Sequence, residues 1–210
     1  IADCACKNNQ VYDEWIVRDQ GAMVRQIGYS PEEFANITIE KEGGFDKAKQ
    51  TLDKSELKPS NYHPIPVKTN SAGEKYSKIL NKIFTNDYDF KDYDRATNIY
   101  WPGNKLGHGR EDVIKFWNSL KSILSEIKFK IEHVGYLDEP NRNPRASIRW
   151  SLEGIHSKDS KDYGKKTNSN LSFIGINHAE LNLYGVIKEW VLFDEVAIWK
   201  QILMNKNKNG

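Results

Sequence analysis

At 210 residues, with 38% hydrophobic and 29% charged residues and a mean hydropathy of −0.72, the chain can bury one sizeable core plus an appendage. Six Trp, ten Tyr and eight Phe supply its large apolar bodies. Lys and Arg number 31 against 29 Asp and Glu, with the signs interspersed, so the sequence lacks the basic face that phosphate neutralisation requires and nucleic acid is not an expected partner. No apolar run reaches 18 residues, which excludes a spanning helix and makes a membrane partner unexpected.

The first 17 residues read as a hairpin, IADCAC and QVYDEWIV around the turn residues Lys7, Asn8 and Asn9, followed by a short helix to about Ile27. Cys4 and Cys6 fall at alternate positions of the first strand. Two thiols are too few for a structural zinc site, and they read as small half-buried side chains in a reducing compartment, so a cytoplasmic location is expected. From Gly28 to Ser71 the pattern turns polar. Ser30 before Pro31 starts a capped helix, FDKAKQTLDKSEL is amphipathic, and KPSNYHPIPVKTNS is an extended connector, so residues 28–70 form a helical and Pro-rich linker.

Residues 71–204 read as a complete domain, with a frayed polar tail at 205–210. Tyr76, Ile79, Leu80, Ile83 and Phe84 mark a one-sided helix, and EDVIKFWNSLKSILSEI a second, with Trp117 in its stripe and Glu111 and Asp112 in its first turn. The period then changes from 3.6 to 2. FKIEHVGYL, ASIRWSLEGIH, NSNLSFIGINHAEL and VIKEWVLFD are alternating strands joined by turn-rich stretches. Helices followed by an antiparallel meander predict an α+β fold, with the helices packed on one face of a curved sheet.

Part of the chain occurs twice. Residues 1–27 align without a gap on residues 176–202, with identities at Ile1/Ile176, Val11/Val186, Glu14/Glu189, Trp15/Trp190, Asp19/Asp194, Ala22/Ala197, Gln26/Gln201 and Ile27/Ile202, where chance would give roughly one or two. The second copy follows about 105 residues of its own domain (71–175), so residues 1–27 read as the closing hairpin and helix of a first copy whose front is absent. A lone hairpin must dock on something, and its open edges favour a homodimer.

Four phrases, YWPGNKLGHGREDVIKFW, SIRWSLEGIHSKDSKDYGKKT, IGINH and VIKEWVLFDEVAIWKQI, resemble the SnoaL-like branch of the nuclear-transport-factor-2-like superfamily, polyketide and ester cyclases, over residues 71–203. VYDEWIVRDQGAMVRQIG resembles the closing segment of tandem members. The resemblance implies a cone of sheet closed by helices around a pocket for a small apolar organic molecule. It also implies cofactor-free acid–base chemistry, with an aspartate base on the last long strand. Val191 stands at that place here, and Ile16 in the first copy; neither can take a proton.

The candidate acid–base groups are therefore His156, Glu189, His178 and Asp194. His156 ends the face of Ala146, Ile148, Trp150 and Leu152, and His178 shares a face with Ile174 and Ile176; each reads either as a titrating group or as a structurally satisfied histidine. Glu189 alternates with Ile187, Val191 and Phe193, so it is a buried acid or base, or else a structural carboxylate shared with Glu14. Asp194, the counterpart of Asp19, stands where a helix N-cap is natural. Trp101, His108, Trp117, Trp150 and Val191 are the candidate ligand contacts, with Trp101 and His108 in the loop entering the second helix. No phosphate loop, dinucleotide fingerprint or histidine ligand spacing occurs, so neither cofactor nor metal is expected. Two readings remain: a cofactor-free cyclase, isomerase or hydrolase, and a non-catalytic ligand-binding or dimerisation module.

Overall fold

A computed structural model describes residues 1–48, 66–85 and 88–206. In chain order the elements are β1 (Ala2–Lys7), β2 (Gln10–Ile16), α1 (Gln20–Gln26), α2 (Pro31–Lys41), α3 (Ala72–Ile83), β3 (Tyr93–Trp101), β4 (Lys105–His108), α4 (Gly109–Ser122), β5 (Leu124–Leu137), β6 (Arg145–His156), β7 (Asn170–Asn182), β8 (Gly185–Phe193) and α5 (Glu195–Lys206). The capped start read at Ser30 and Pro31 is the one observed: α2 begins with a full capping box, in which the Ser30 and Glu33 side chains each accept from the other's backbone N–H.

β3 to β8 form one curved, unclosed six-stranded sheet in the order β4-β3-β8-β7-β6-β5. The sheet is mixed, because β3 runs parallel to β8 while every other pair is antiparallel. Three expectations are corrected. The second helix stops at Ser122, and Leu124 to Ile127 belong to β5, paired with the end of β6. Tyr100, Trp101 and His108 lie on β3 and β4 rather than in a loop. Asn205 and Lys206, read as the start of a frayed tail, are the last residues of α5. The inner face of the sheet carries Trp150, Phe173, Asn177, Glu189 and Val191, and α3 and α4 cover it with Tyr76, Leu80, Ile83, Val113, Phe116 and Trp117. At Gly175, paired with Trp150, an added Cβ would fall 2.1 Å from the indole, so only glycine lets that ring lie flat on the sheet.

The N-terminal segment packs on the outer face and on α5. Asp3 accepts from Arg149 Nε at 2.7 Å and lies 2.8 Å from His133 Nδ1, while the Arg149 guanidinium sits 3.8 Å from the centre of the Trp15 ring. Residues 28–48 are more than a linker, since α2 buries Pro31, Ala35 and Ile39 and packs on α5, and Glu42 pairs with Lys200. Most of FDKAKQTLDKSEL and of the Pro-rich connector lies outside the described residues. Both thiols are exposed rather than half-buried.

The two sequence copies share their geometry. β1 pairs with β2 through Ala2↔Ile16 and Cys4↔Glu14, as β7 pairs with β8 through Asn177↔Val191 and Ala179↔Glu189. Each hairpin carries an extra residue at the same place, Tyr12 and Ile187. The Asn8–Asn9 turn has φ of 51° and 60°, the left-handed pair that a two-residue hairpin loop demands. Burial differs, however: Val11 and Ile27, the counterparts of the buried Val186 and Ile202, are 58% and 66% exposed, and contact is made instead through Ala5, Val17 and Val24.

Candidate functional site

Side chains from four other elements converge on one carboxyl group of β8. Glu189 Oε1 accepts hydrogen bonds from the Tyr76 hydroxyl, from the Tyr93 hydroxyl at 3.0 Å and from Asn177 Nδ2 at 3.2 Å, while among the described residues Oε2 accepts only from Trp117 Nε1 at 3.4 Å. Asn177 also donates to the Tyr76 oxygen at 2.8 Å, and its own Oδ1 accepts from Trp150 Nε1 at 2.8 Å. All six side chains are fully buried. Removal from water pushes the Glu189 carboxyl up to about 7, against the downward pull of its four donors. Burial, reinforced by the Glu189 charge, raises both tyrosines well above their ordinary range, so they remain donors. The carboxyl therefore changes charge near neutrality inside a closed polar cage.

Further along the same face of β8, Val191 is 2% exposed and Phe193 forms the floor of a cleft of about 280 Å³. The strand rise places Phe193 roughly 13 Å from Glu189. Trp101, Phe116, Leu120 and Tyr163 make the cleft's apolar walls, and Trp101 packs on Phe116 with ring centres 5.4 Å apart. Its five charged lining residues are all paired. Lys105 lies 3.7 Å from Asp162, Lys115 3.1 Å from Asp112, and Glu195 takes a two-pronged contact from Arg25 at 2.6 and 3.2 Å. Asp19 supports the rim: it caps α1 through the Ala22 N–H at 2.8 Å and accepts from the Gly103 and Asn104 N–H groups of the β3–β4 turn.

The predicted residues separate. Glu189, Trp117 and Trp150 meet in the cage, with Val191 next to it, and Trp101 lines the cleft. His156 ends the inner face six residues beyond Trp150, about 20 Å along the strand, so it does not join Glu189. Its Nδ1 lies 3.2 Å from Thr167 Oγ1, its Nε2 has no partner among the described residues, and burial lowers its basicity. His178 is exposed on the outer face, opposite both Glu189 and His156. Asp194 accepts from Val196 N–H at 2.9 Å and Ala197 N–H at 3.2 Å, which is cap geometry. His108 is exposed, 2.6 Å from Asn98 Oδ1, and does not line the cleft. Tyr76, Tyr93, Asn177 and Tyr163 were not anticipated; the alternation of Leu171, Phe173 and Ala179 with Asn177 was the available signal for one of them. Glu14 is exposed, so its identity with Glu189 reflects no shared environment. Among the described residues no group of three or more His, Cys, Asp or Glu is placed to hold a metal ion, and no helix is long and apolar enough to cross a membrane.

No family model and no curated protein matches the sequence. Solved structures do match. A candidate SnoaL-like polyketide cyclase from Jannaschia sp. CCS1 is 12% identical with a TM-score of 0.54, covering 66% of this chain and 96% of the other. A similar candidate from Shewanella putrefaciens CN-32 is 16% identical with a TM-score of 0.51, covering 62% and 95%. The fold is that of SnoaL-like polyketide cyclases. A candidate polyketide cyclase from Acidithiobacillus ferrooxidans is 12% identical with a TM-score of 0.51, covering 66% of this chain and 99% of the other. At these identities the likeness concerns architecture alone.

Proposed function

We propose that this SnoaL-like chain binds a small, neutral, largely aromatic molecule in the cleft floored by Phe193. The observation that carries this reading is that every charged side chain lining the cleft is neutralised by an ion pair, leaving aromatic walls and no unmatched charge to recognise an ion. The cleft's carboxylates are engaged, so binding rather than turnover is the function favoured. A fluorescence titration tests it. Neutral N-phenyl-1-naphthylamine should bind, its anionic sulfonate relative should bind less tightly, and Trp101→Ala should weaken the neutral probe about tenfold, as loss of an aromatic contact would. Equal binding of both probes, or indifference to Trp101→Ala, defeats the reading.

One observation favours a catalytic alternative: the Glu189 carboxyl titrates near 7 and its Oε2 makes a single long hydrogen bond. In that reading Glu189 replaces the base that the family resemblance would place at Val191, the substrate has to enter the cage rather than the cleft about 13 Å away, and Glu189→Gln abolishes turnover. The exposed free thiols suit a reducing compartment such as the cytoplasm. Residues 1–27 are best read as the end of a preceding copy of the same fold.

A further inference from the structure

On the proposed reading of the cleft, on which this rests, we infer that the Tyr163 hydroxyl determines its specificity, donating a hydrogen bond to a ligand that carries a neutral acceptor such as a ring nitrogen or carbonyl oxygen. Tyr163 lies in the connection from β6 to β7 and lines the cleft while keeping only 7% of its surface exposed. Its hydroxyl has no hydrogen-bond partner among the described residues. The other polar side chains of the cleft are committed or wet. Its five charged residues are paired, Ser119 is exposed and Trp101 is partly exposed, so the donors of these last two meet water. Tyr163 is left as the buried, uncommitted donor.

The side chain is also held in place. The Tyr163 backbone N–H donates to Ser160 Oγ at 2.9 Å, Ser160 and Gly164 bridge around it, and its ring centre lies 6.3 Å from that of Trp199 on α5. Gly164 has φ of 70°, and a Cβ there would fall 3.1 Å from the Trp199 ring, so a larger residue would lift the turn off α5. The charges that act on the hydroxyl are those of Glu195 and Asp162 in the cleft wall and of Arg25 behind Glu195, which places the oxygen on the cleft side of the ring. Burial, reinforced by the two carboxylates, holds the phenol well above its ordinary range, so it keeps its proton and acts as a donor. The same carboxylates repel an anionic acceptor, which leaves a neutral one. A buried hydroxyl without a partner is costly, so a ligand that matches it gains over an isostere that cannot.

Naphthalene and its isosteres quinoline and isoquinoline provide the test. Each is titrated at about pH 8, where both azines are neutral, as a competitor of N-phenyl-1-naphthylamine on the wild type and on Tyr163→Phe. The substitution should weaken at least one azine about fivefold and naphthalene by less than about twofold, because only the azines offer the phenol an acceptor. Its melting temperature should stay within about 2 °C of the wild type or rise, since the hydroxyl removed had no partner. Equal losses for naphthalene and the azines, or no loss for either azine, overturn the inference and leave the cleft reading standing. A fall in melting temperature of more than about 5 °C makes the hydroxyl structural and also overturns it. Failure of N-phenyl-1-naphthylamine to bind the wild type defeats the cleft reading itself, and the role of Tyr163 with it.

Discussion

Replacing Glu189 by Gln removes a proton-binding group that the fold holds out of its ordinary range. Burial raises the carboxyl from 4.5 to about 7, so between those values the unfolded chain has released a proton that the folded chain keeps. Stability must then fall as pH rises through the window, by about 3 kcal/mol at roughly 1.36 kcal/mol per unit, and level off above the folded-state value. For a chain of this size that corresponds to a melting shift on the order of 10 °C. The amide also introduces an offset. If its nitrogen takes the Oε2 position it faces Trp117 Nε1 at 3.4 Å, donor against donor, at about 1 kcal/mol that does not vary with pH. Denaturant titrations of both proteins from about pH 4 to 9 separate the two effects. The stability of the wild type minus that of the Glu189→Gln variant should fall by about 3 kcal/mol between roughly pH 4.5 and 7 and stay flat above. A difference that is constant across the range would show that Glu189 does not titrate there, and the buried cage would be wrong.

Gly175→Ala should cost about 3 kcal/mol or more, since the new methyl would overlap an indole that Asn177 holds in place; calorimetry showing less than about 1 kcal/mol would contradict the packing. Val191→Asp should destabilise by roughly a few kcal/mol, with the loss growing as pH rises from the unfolded value of about 4 to a higher folded one, and an unchanged melting curve would place the side chain in solvent. Asp19→Ala should cost about 1–2 kcal/mol and Asp194→Ala about 1, because Asp19 holds both a helix start and the β3–β4 turn, whereas Asp194 only caps; equal losses in denaturant unfolding would refute the dual role.

Where a helix or strand had one apolar side, its sequence was enough to place it. Tyr76, Ile79, Leu80 and Ile83 are all buried on α3, as their spacing requires. Leu120, Ile123, Leu124 and Ile127 keep helical spacing and so predict a longer second helix; pairing of Leu124 with His156 and a left-handed Glu126 at a register shift end it instead. β3 was hidden because Asp94, Arg95 and Ala96 break the alternation and its partner β8 is parallel and remote. In β7 both phases carry apolar residues, since Ile176 is buried on the outer face in register with Arg149, where Trp15 packs. With apolar residues on both sides, the pattern does not say which of Asn177 and His178 faces the core. In β8 the extra residue Ile187 brings Val186, not Ile187, to the inner face. The cleft's neutrality depends on Arg25, 170 positions from Glu195, and no local pattern announces such a pair.

α5 is buried around most of its circumference, from Glu195 through Met204, because the sheet lies on one side and α2 on the other. A helix enclosed in this way makes the chain hard to divide. Recombination between residues 48 and 66 that replaced the front half would have to provide a substitute for Glu42 against Lys200, for Arg25 against Glu195 and for the apolar surface of Ala35 and Ile39, or leave those positions stranded. Substitutions at positions 25 and 195, and at 42 and 200, are therefore expected to be inherited together, and residues 1–48 behave as an inseparable outer wall of the sheet and α5.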